Sequence, residues 1–339
     1  MNKQSPHASQ KKKKGKILAI VLVLLAVTAV LLALSAVQKS AREQDASLVS
    51  PEEAARRYRP SVSYQGETYP LKRNTSSLLL IGTDNFVDDK KQHEGLPYNF
   101  NLADFLTVLV FDHRARTITP FQICRDTMCE VPLPSGGTER MQITLSHTYG
   151  SGGADSCEYT RQAVEGLLFQ VPIDSYLAFT MDTVPVVNDL LGGITIRLEE
   201  DLPELGPAYM KGASVTLRGA EALRFVRYRD TSLLDDNLRR MAHHRQYLTA
   251  LVDAAQKASA DDDELPLRIF RAVEKFINTD LSAENLSALF NDLNAYTVLP
   301  AVTADGSYAM GEDFAEFLVD EASLWDCVRS VFCARPNKK

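Results

Sequence analysis

The residues best suited to chemistry are arginines, and they are concentrated in one stretch of the chain. Residues 218–246 read RGAEALRFVRYRDTSLLDDNLRRMAHHRQ, with seven arginines and no lysine. A guanidinium group is planar, always charged and carries a fork of donors that suits phosphate oxygens. Residues 43–339 hold 29 basic and 44 acidic residues, so the cluster stands in an acidic background. The stretch predicts a local anion site, and the alternative is a solvated helical face with salt bridges to nearby acids.

Three short segments place further charged groups where apolar runs begin or end. Asp84 closes LLLIGTD, Asp104 precedes the run 105–112, and Arg125 and Asp126 follow the run 117–124. Sites of α/β proteins usually lie at strand ends. Carboxylates together with phosphate oxygens are ligands that Mg²⁺ prefers, so Asp84 and Asp104 predict a Mg²⁺ site with Arg125 beside it. For each residue alone, a cap or turn role is the alternative.

Predicted strands and helices alternate through the middle of the chain. Strands are predicted at 78–81, 105–112, 117–124, 173–180 and 194–198, and helices at 156–169, 184–191 and 237–257. Residues 219–228 are predicted to be a helix or a passage from helix to strand. This alternation indicates an α/β fold, a three-layer α/β/α domain with a central mixed sheet over residues 76–258. Residues 259–339 are predicted to be a mostly helical C-terminal extension, with one possible strand at 296–299.

The predicted helix 237–257 carries two sets of residues at helical spacing. An apolar face is predicted from Leu238, Met241, Leu248, Val252 and Ala255. An adjacent polar stripe is predicted from Arg240, His243, His244 and Tyr247.

The N-terminus has the pattern of a membrane anchor. Residues 17–37 are apolar except for Thr28 and Ser35, and a helix of this length spans roughly 31 Å, the thickness of a bilayer core. The basic tail 1–16 places the N-terminus in the cytoplasm by the positive-inside rule, and everything after about residue 38 outside. A cleaved signal peptide is the alternative, but its apolar region is normally shorter. Residues 38–75 are predicted to be a polar stalk.

Five cysteines are present, and none has the spacing of a metal site. Cys327 and Cys333 are a possible disulfide pair, and buried free thiols are the alternative. The chain also has no GxxxxGK[ST], GxSxG or HExxH motif, so the common nucleotide, serine hydrolase and zinc protease signatures do not apply.

Several motifs, in order, resemble one family over about residues 78–256. They are LLLIGTD, ADF followed by LVFD, RDT, MQITLSHTYG, IDSYLAFTMD, NDLLGGI, FVRYR and RRMAHHRQYL. The chain is similar to the LytR–CpsA–Psr (LCP) proteins of Gram-positive bacteria, also called the cell envelope-related transcriptional attenuator domain. Residues 265–335 lie outside this resemblance.

The resemblance implies a membrane-anchored phosphotransferase. Members move a glycopolymer, such as teichoic acid or capsule, from a polyprenyl-pyrophosphate carrier onto peptidoglycan with Mg²⁺, and the lipid tail of the carrier enters a hydrophobic tunnel. Asp84 and Asp104 match the metal-binding carboxylates, and Arg125, Arg229 and Arg240 match arginines that grip pyrophosphate. Arg227 lies with them in FVRYR, and Asp126 follows Arg125 as in the family. The expected partners are the lipid-linked polymer, peptidoglycan and the lipid bilayer. Asp104 or Asp126 is expected to take the proton of the attacking hydroxyl.

Two departures from the family pattern bear on activity. The last motif commonly reads Arg-x-x-Arg-Gln, whereas here His243 and His244 occupy the last two positions. Together with Arg245 they are possible phosphate or substrate contacts, and histidine charge is expected to titrate near neutral pH. Leu102 and Phe105 stand where many members have arginine and threonine.

Two other functions remain open from the sequence. One is a membrane-tethered module that binds wall polymer or lipid carrier without turnover, which the two histidines would favour. The other is hydrolysis of the lipid-linked pyrophosphate, with water as the acceptor. Nucleic-acid binding is disfavoured, because the part of the chain after residue 42 has a formal charge of −15.

Overall fold

The computed structural model describes residues 60–84, 101–230, 232–260, 262, 265–281, 296–312 and 314–334. The predicted basic tail 1–16, the transmembrane segment 17–37 and residues 38–59 of the stalk lie outside them. Within the described ranges, no helix is both long enough and apolar enough to cross a bilayer.

Strands and helices alternate much as the sequence predicts. The strands are β1 Ser61–Tyr64, β2 Glu67–Pro70, β3 Thr75–Thr83, β4 Ala103–Asp112, β5 Thr117–Ile123, β6 Met128–Pro132, β7 Thr138–Gln142, β8 Ser175–Thr180, β9 Ile194–Arg197, β10 Ser214–Leu217, β11 Ile277–Thr279, β12 Thr297–Val298, β13 Gly306–Met310 and β14 Ala315–Val319. The α-helices are α1 Ala154–Leu167, α2 Thr183–Leu190, α3 Ala220–Arg227, α4 Asp236–Ala260, α5 Leu265–Val273 and α6 Glu321–Phe332. Short 3-10 helices cover Ile143–Thr148, Pro203–Leu205 and Glu274–Phe276.

A mixed six-stranded sheet forms the centre, with the strand order β11-β8-β3-β4-β5-β12. β3 is antiparallel to β4 and parallel to β8, and β4 is antiparallel to β5. The predicted central mixed sheet is therefore confirmed. The strands β3, β4 and β5, which are neighbours in this sheet, are the three whose ends carry Asp84, Asp104 and Arg125.

Side chains of the central strands alternate between two hydrophobic cores, as the two-residue period of a strand requires. Leu78 contributes to a core shared with helices α2 to α5, whereas Leu79 and Ile81 contribute to a core shared with α1 and α6. Leu78, Leu79 and Ile81 are at most 2% exposed. A strand buried on both faces is apolar throughout, which explains why this run was recognisable in the sequence. The two cores give the molecule three layers.

The C-terminal region differs from the expected mostly helical extension. Besides α5 and α6, its described residues form four strands, of which β11 pairs with β8 and β12 with β5 at the two edges of the main sheet. The possible strand at 296–299 corresponds to β12, whereas β11 has only three residues, too few to show a two-residue period. Residues beyond 258 thus complete the central sheet, and the predicted boundary there does not mark the edge of a separate unit.

The end of the predicted stalk is also part of the fold. β1 and β2 form an antiparallel hairpin, and Tyr64 of this hairpin stacks on Trp325 of α6 at 4.5 Å between ring centroids. Leu71 forms a bridge with Cys333. A stalk boundary at residue 75 is therefore too late, because burial of aromatic rings ties residues 61–71 to the C-terminal helix.

Helix α4 buries the stripe that was predicted to be polar. Arg240, His243, His244 and Tyr247 are at most 6% exposed, whereas Leu248 is 37% exposed. The predicted apolar face was therefore wrong at Leu248. Polar groups of this stripe have partners on distant elements, among them Glu200 for His243 and the Val226 carbonyl for His244, and a helical period cannot reveal such partners.

All five cysteines are free. The possible Cys327–Cys333 disulfide is absent, and the alternative reading of free thiols is correct. Cys327 lies within α6, where its thiol contacts the carbonyl of Thr303, and Cys333 directly follows the helix.

Candidate active site

The two predicted metal ligands lie where β3 ends and β4 begins, on neighbouring strands of the central sheet. Gly82 of β3 pairs with Phe105 of β4, and Thr83 pairs with Ala103, so Asp104 occupies a bulge between them. Asp84 directly follows Thr83. Because a bulge redirects the side chains of its strand, this register brings the residues Asp84 and Asp104 together at the strand ends.

The Asp104 carboxylate is shared by two buried arginines. Arg125, which follows β5, contacts its Oδ1 atom through Nη1, and Arg240 of α4 approaches the same oxygen with Nη2 at 3.6 Å. Burial lowers the pKa of Arg125 and of Arg240 to about 10. A nearby guanidinium group is the second cause of this lowering of the pKa, Arg240 for Arg125 and Arg229 for Arg240. Both side chains remain cations at neutral pH, and they converge on one carboxylate.

Arg227 and Arg229 approach the same region from the end of α3. Nη2 of Arg227 lies 3.5 Å from Oδ1 of Asp84. Nε of Arg229 donates a 3.0 Å hydrogen bond to Asp236 at the start of α4. These two arginines are more exposed than Arg125 and Arg240, so they are the ones that solvent and a large ligand reach most easily.

Asp126 lies beneath this layer and accepts contacts from several elements. Its Oδ1 accepts a 3.3 Å hydrogen bond from Gln142 and lies 3.4 Å from Nε of Arg125. Its Oδ2 accepts hydrogen bonds from Asn237 and from the Tyr308 hydroxyl, the latter at 2.9 Å. The carboxylate is buried, and both of its oxygens are occupied by donors.

The structure does not bring His243 and His244 into the contacts of Asp104. His243 shares a 2.6 Å hydrogen bond with Glu200, and Nε2 of His244 lies 2.9 Å from the carbonyl oxygen of Val226. Burial lowers the pKa of His243, and it lowers that of His244 to about 3. The expectation of titration near neutral pH was therefore wrong for His244, since a fully enclosed imidazole cannot hydrate its charged form. A phosphate-binding role for either histidine stays a prediction.

Arg245 also lies outside the contacts of Asp104. Its Nη1 donates a 2.7 Å hydrogen bond to Gln122 of β5. It lines a groove of about 740 Å³ between α4 and β9, with Leu191, Ile196 and Ala250 among the other lining residues. Its contact with substrate stays a prediction.

Sequence reasoning missed three members of this group, Gln142, Asn237 and Tyr308. Asn237 stands inside the arginine-rich stretch, and its place in the first turn of the predicted helix was a usable signal. Gln142 stands in the motif MQITLSHTYG, which indicated no role for it, and Tyr308 lies on the short strand β13, which carries no strong local pattern. Tyr308 reaches Asp126 across 182 residues of chain, a separation that sequence spacing cannot bridge.

The formal charges of the arginines and aspartates at the strand ends sum to zero without a ligand. Arg125, Arg227, Arg229 and Arg240 carry four positive charges, and Asp84, Asp104, Asp126 and Asp236 carry four negative charges. In the described residues, no group of three or more histidine, cysteine, aspartate or glutamate side chains could hold a metal by themselves. Mg²⁺ at two carboxylates would complete its coordination with water or with phosphate oxygens of a substrate.

Comparison with known families gives one match that covers most of the chain. The LytR_cpsA_psr family matches residues 31–313, a wider span than the resemblance over residues 78–256. The match extends through β11, β12 and β13, in agreement with their integration into the fold.

Similar curated proteins carry one name. The chain is 25% identical over 253 residues to a polyisoprenyl-teichoic acid–peptidoglycan teichoic acid transferase TagU of Bacillus licheniformis, an alignment that covers 74% of each chain. It is 26% identical over 221 residues to the protein of that name from Bacillus subtilis, where the alignment covers 65% of each chain, slightly less than two thirds.

Solved structures share the fold. Bacillus subtilis TagV superimposes with a TM-score of 0.59 at 23% identity, over 77% of this chain and 96% of that one. A structure of TagT bound to LI-WTA superimposes with a TM-score of 0.57 at 20% identity, over 76% of this chain and 90% of that one. At these identities the comparisons establish a common architecture.

Proposed function

Because this chain belongs to the LytR_cpsA_psr family, we propose that it transfers a glycopolymer from a polyprenyl-pyrophosphate carrier to peptidoglycan. The names of its curated relatives, which are teichoic acid transferases, support this reaction. The convergence of Arg125 and Arg240 on Asp104 at the strand ends is the observation that carries the proposal, because a buried pair of guanidinium groups suits a pyrophosphate.

We further propose that the reaction requires Mg²⁺, held by Asp84 and Asp104. The charge balance at the strand ends supports this, since four arginines neutralised by four aspartates would attract a pyrophosphate anion only weakly. A divalent cation bound with the substrate would offset the two aspartates and leave arginine charge available to the phosphates. The donor set fits, because Mg²⁺ typically binds one or two carboxylates together with phosphate oxygens and water. When bound, it would supply charge neutralisation at the pyrophosphate.

In this proposal each arginine binds and orients the pyrophosphate. Arg125 and Arg240, buried and convergent, would contact the phosphate next to the scissile bond, and the more exposed Arg227 and Arg229 would contact the outer oxygens. The hydroxyl oxygen of the acceptor sugar then forms a bond to the polymer-linked phosphorus. The bond from that phosphorus to the bridging oxygen breaks, and polyprenyl phosphate leaves with the bonding electrons.

The proton of the attacking hydroxyl must pass to a base. Asp126 is poorly suited to this, because both of its oxygens already accept hydrogen bonds from buried donors. Of the two expected carboxylates, Asp104 lies where the substrate would bind, but Arg125 and Arg240 both contact its Oδ1, so only Oδ2 would be left to accept the proton.

We also propose that residues 17–37 anchor the protein in the membrane with the folded domain outside, as a lipid-linked substrate requires. The apolar length of this segment and the basic tail before it support that topology.

A non-catalytic carrier-binding module is the second candidate function. The observation that favours it is the pair His243 and His244, which burial keeps uncharged and which bond to Glu200 and to the Val226 carbonyl. Such a protein would bind the lipid carrier and release no product.

The test is a transfer assay with the full chain in detergent micelles. A lipid-pyrophosphate-linked sugar, Mg²⁺ and a peptidoglycan oligomer are mixed with the protein, and a phosphodiester-linked product is sought by mass spectrometry. We expect product that disappears with EDTA and falls by roughly 10²- to 10³-fold in Arg125→Ala, as for loss of one transition-state donor. Arg329→Ala is the matched control, because Arg329 pairs with Asp326 on the exposed face of α6.

The other outcomes separate the alternatives. Binding of the lipid-linked sugar without product would favour the binding module. Release of free sugar phosphate without linkage would identify a hydrolase. Equal activity of Arg125→Ala and Arg329→Ala would contradict the assigned site.

A further inference from the structure

A hairpin near the C-terminus lies against the loop that carries Arg125. The backbone N–H of Phe317 in β14 donates a 2.9 Å hydrogen bond to the carbonyl of Asp126, and Thr127 forms a bridge with Phe317. The side-chain amide of Gln142 donates to the carbonyl of Ala315 at 2.7 Å and to Asp126 as well. The backbone directly after Arg125 is therefore held by β14, in addition to the local hydrogen bond from the N–H of Thr127 to the carbonyl of Cys124.

The same hairpin also reaches the Asp126 side chain. Tyr308 of β13 lies 2.9 Å from Oδ2 of Asp126 and 3.2 Å from the Cys124 sulfur. Burial raises the pKa of the Cys124 thiol to about 11 and raises the pKa of Tyr308 as well, so both groups keep their protons at neutral pH. A carboxylate only accepts, and a phenol has one proton to donate. The direction of the two hydrogen bonds follows: the thiol donates to the Tyr308 oxygen, and Tyr308 donates to Asp126.

The position of Asp126 in turn constrains Arg125. Oδ1 of Asp126 lies 3.4 Å from Nε of Arg125, while Nη1 of the same guanidinium contacts Asp104. The guanidinium thus has a carboxylate at each end, in an ion pair with Asp104 through Nη1 and in a longer one with Asp126 through Nε. Rotation of the Asp126 carboxylate would release one end, and the hydroxyl of Tyr308 and the amide of Asn237 are the groups that hold Oδ2 against that rotation.

We propose that Tyr308 is a positioning residue, which fixes the Asp126 carboxylate and through it the guanidinium of Arg125. The purpose of positioning Arg125 rests on the proposed function, but the contacts from Tyr308 to Asp126 and from Asp126 to Arg125 do not. The inference also gives the C-terminal hairpin a part in the active site, since Tyr308 is the only side chain of β13 placed in hydrogen-bond contact with Asp126 among the described residues.

The test compares two tyrosines that differ in where their hydroxyls point. Tyr308→Phe removes the hydroxyl and keeps the ring. Tyr296→Phe is the matched control: Tyr296 is a buried tyrosine of the same C-terminal region, and its hydroxyl bonds to His113 at the opposite end of β4. Modification of Arg125 by phenylglyoxal, located by mass spectrometry on the full chain without substrate, measures how firmly that guanidinium is held.

We expect Tyr308→Phe to raise the modification rate of Arg125 at least fivefold and to leave that of exposed Arg229 unchanged. Tyr296→Phe should change neither rate. In the transfer assay, Tyr308→Phe should lower turnover about tenfold in the wild-type background, and it should have no further effect in Arg125→Ala, because the two changes act on one group.

Three results would decide the matter. Equal Arg125 reactivity in the wild type and in Tyr308→Phe would overturn the positioning role, as would equal increases in both tyrosine variants. An increase confined to Tyr308→Phe, in a protein that catalyses no transfer, would uphold the positioning role and defeat the proposed function instead.

Discussion

At the residue scale, Arg125 and Arg240 are cations kept in the protein interior, and they are tolerated because Asp104 touches both. Removing one partner of a buried ion pair typically costs about 3–5 kcal/mol, because a charge is left without compensation. An anionic ligand that displaced Asp104 would have to contact Arg125 and Arg240 with its own oxygens in place of the carboxylate. A phosphate does this well, and a neutral sugar does not. This pair of arginines is therefore a selective element in itself.

The buried His244 makes stability depend on pH. Its pKa is about 3 in the folded protein against about 6.5 in an unfolded chain, so below pH 6.5 only the unfolded chain binds the proton. The free energy of unfolding should therefore be fully retained above pH 6.5 and lost as pH falls towards 3. One such group lowers it by about 2 kcal/mol between pH 7 and pH 5. Urea unfolding at the two pH values measures the difference.

His244→Gln supplies the control for that dependence, because an amide can donate to the Val226 carbonyl and does not titrate. We expect its loss between pH 7 and pH 5 to be smaller than that of the wild type by about 2 kcal/mol. His147, also buried, with a pKa lowered to about 4, accounts for a similar loss in both proteins. Identical losses in wild type and variant would show that His244 is not held neutral.

At the element scale, the pairing of β3 with β4 sets where Asp84 and Asp104 lie. Gly82 faces Phe105 across the two strands, and a Cβ at Gly82 would come within 2.8 Å of the Phe105 Cβ. A Cβ atom moves only with its backbone, so the strands would have to separate. The absence of a side chain at Gly82 is what allows the two strands to approach just before the site.

Gly82→Ala should therefore lower the free energy of unfolding by about 1–3 kcal/mol, the usual cost of overpacking. It should also reduce transfer, because the two aspartates would move apart. Gly166→Ala in α1 is the contrasting change: the nearest atom to its new Cβ would be 3.7 Å away, and alanine is the better helix former by up to about 1 kcal/mol. Chemical denaturation should thus give shifts of opposite sign. A stabilising Gly82→Ala would show that the strand spacing is not set there.

Elements buried by their own apolar residues were predictable from sequence, and those held by distant partners were not. β3, β4, β5 and α1 have clear periods because they bury apolar side chains on one face or on two. β13 and β14 lie close to solvent on much of their surface, so the signal that produces a period is weak. The same reason applies at the site, where Arg125 and Arg240 were recognisable by type but Tyr308 was not.

At the scale of the whole molecule, Trp325 joins the two ends of the folded chain. It packs against Tyr64 and Tyr69 from the N-terminal hairpin and against Phe169 after α1. It is only 5% exposed. Aromatic pairs of this kind add stability beyond the area that they bury.

Trp325→Ala should cost about 3–5 kcal/mol in the free energy of unfolding, the usual range for truncating a buried aromatic residue. Asp326→Ala, next to it on the exposed face of α6, should change it by less than about 0.5 kcal/mol. Urea denaturation followed by circular dichroism gives both values. A Trp325→Ala loss as small as that of Asp326→Ala would mean that the N-terminal hairpin does not depend on α6.

The hydrogen bonds from Leu71 to Pro60 and from Ala334 to Pro70 have a mechanical consequence. They set the first and last described residues of the fold side by side, so a force applied between the two ends acts on these hydrogen bonds. It does not act along β3 or β4. A pull on the chain from the side of residue 60 would act on these hydrogen bonds before it acted on the strands that carry Asp84, Asp104 and Arg125.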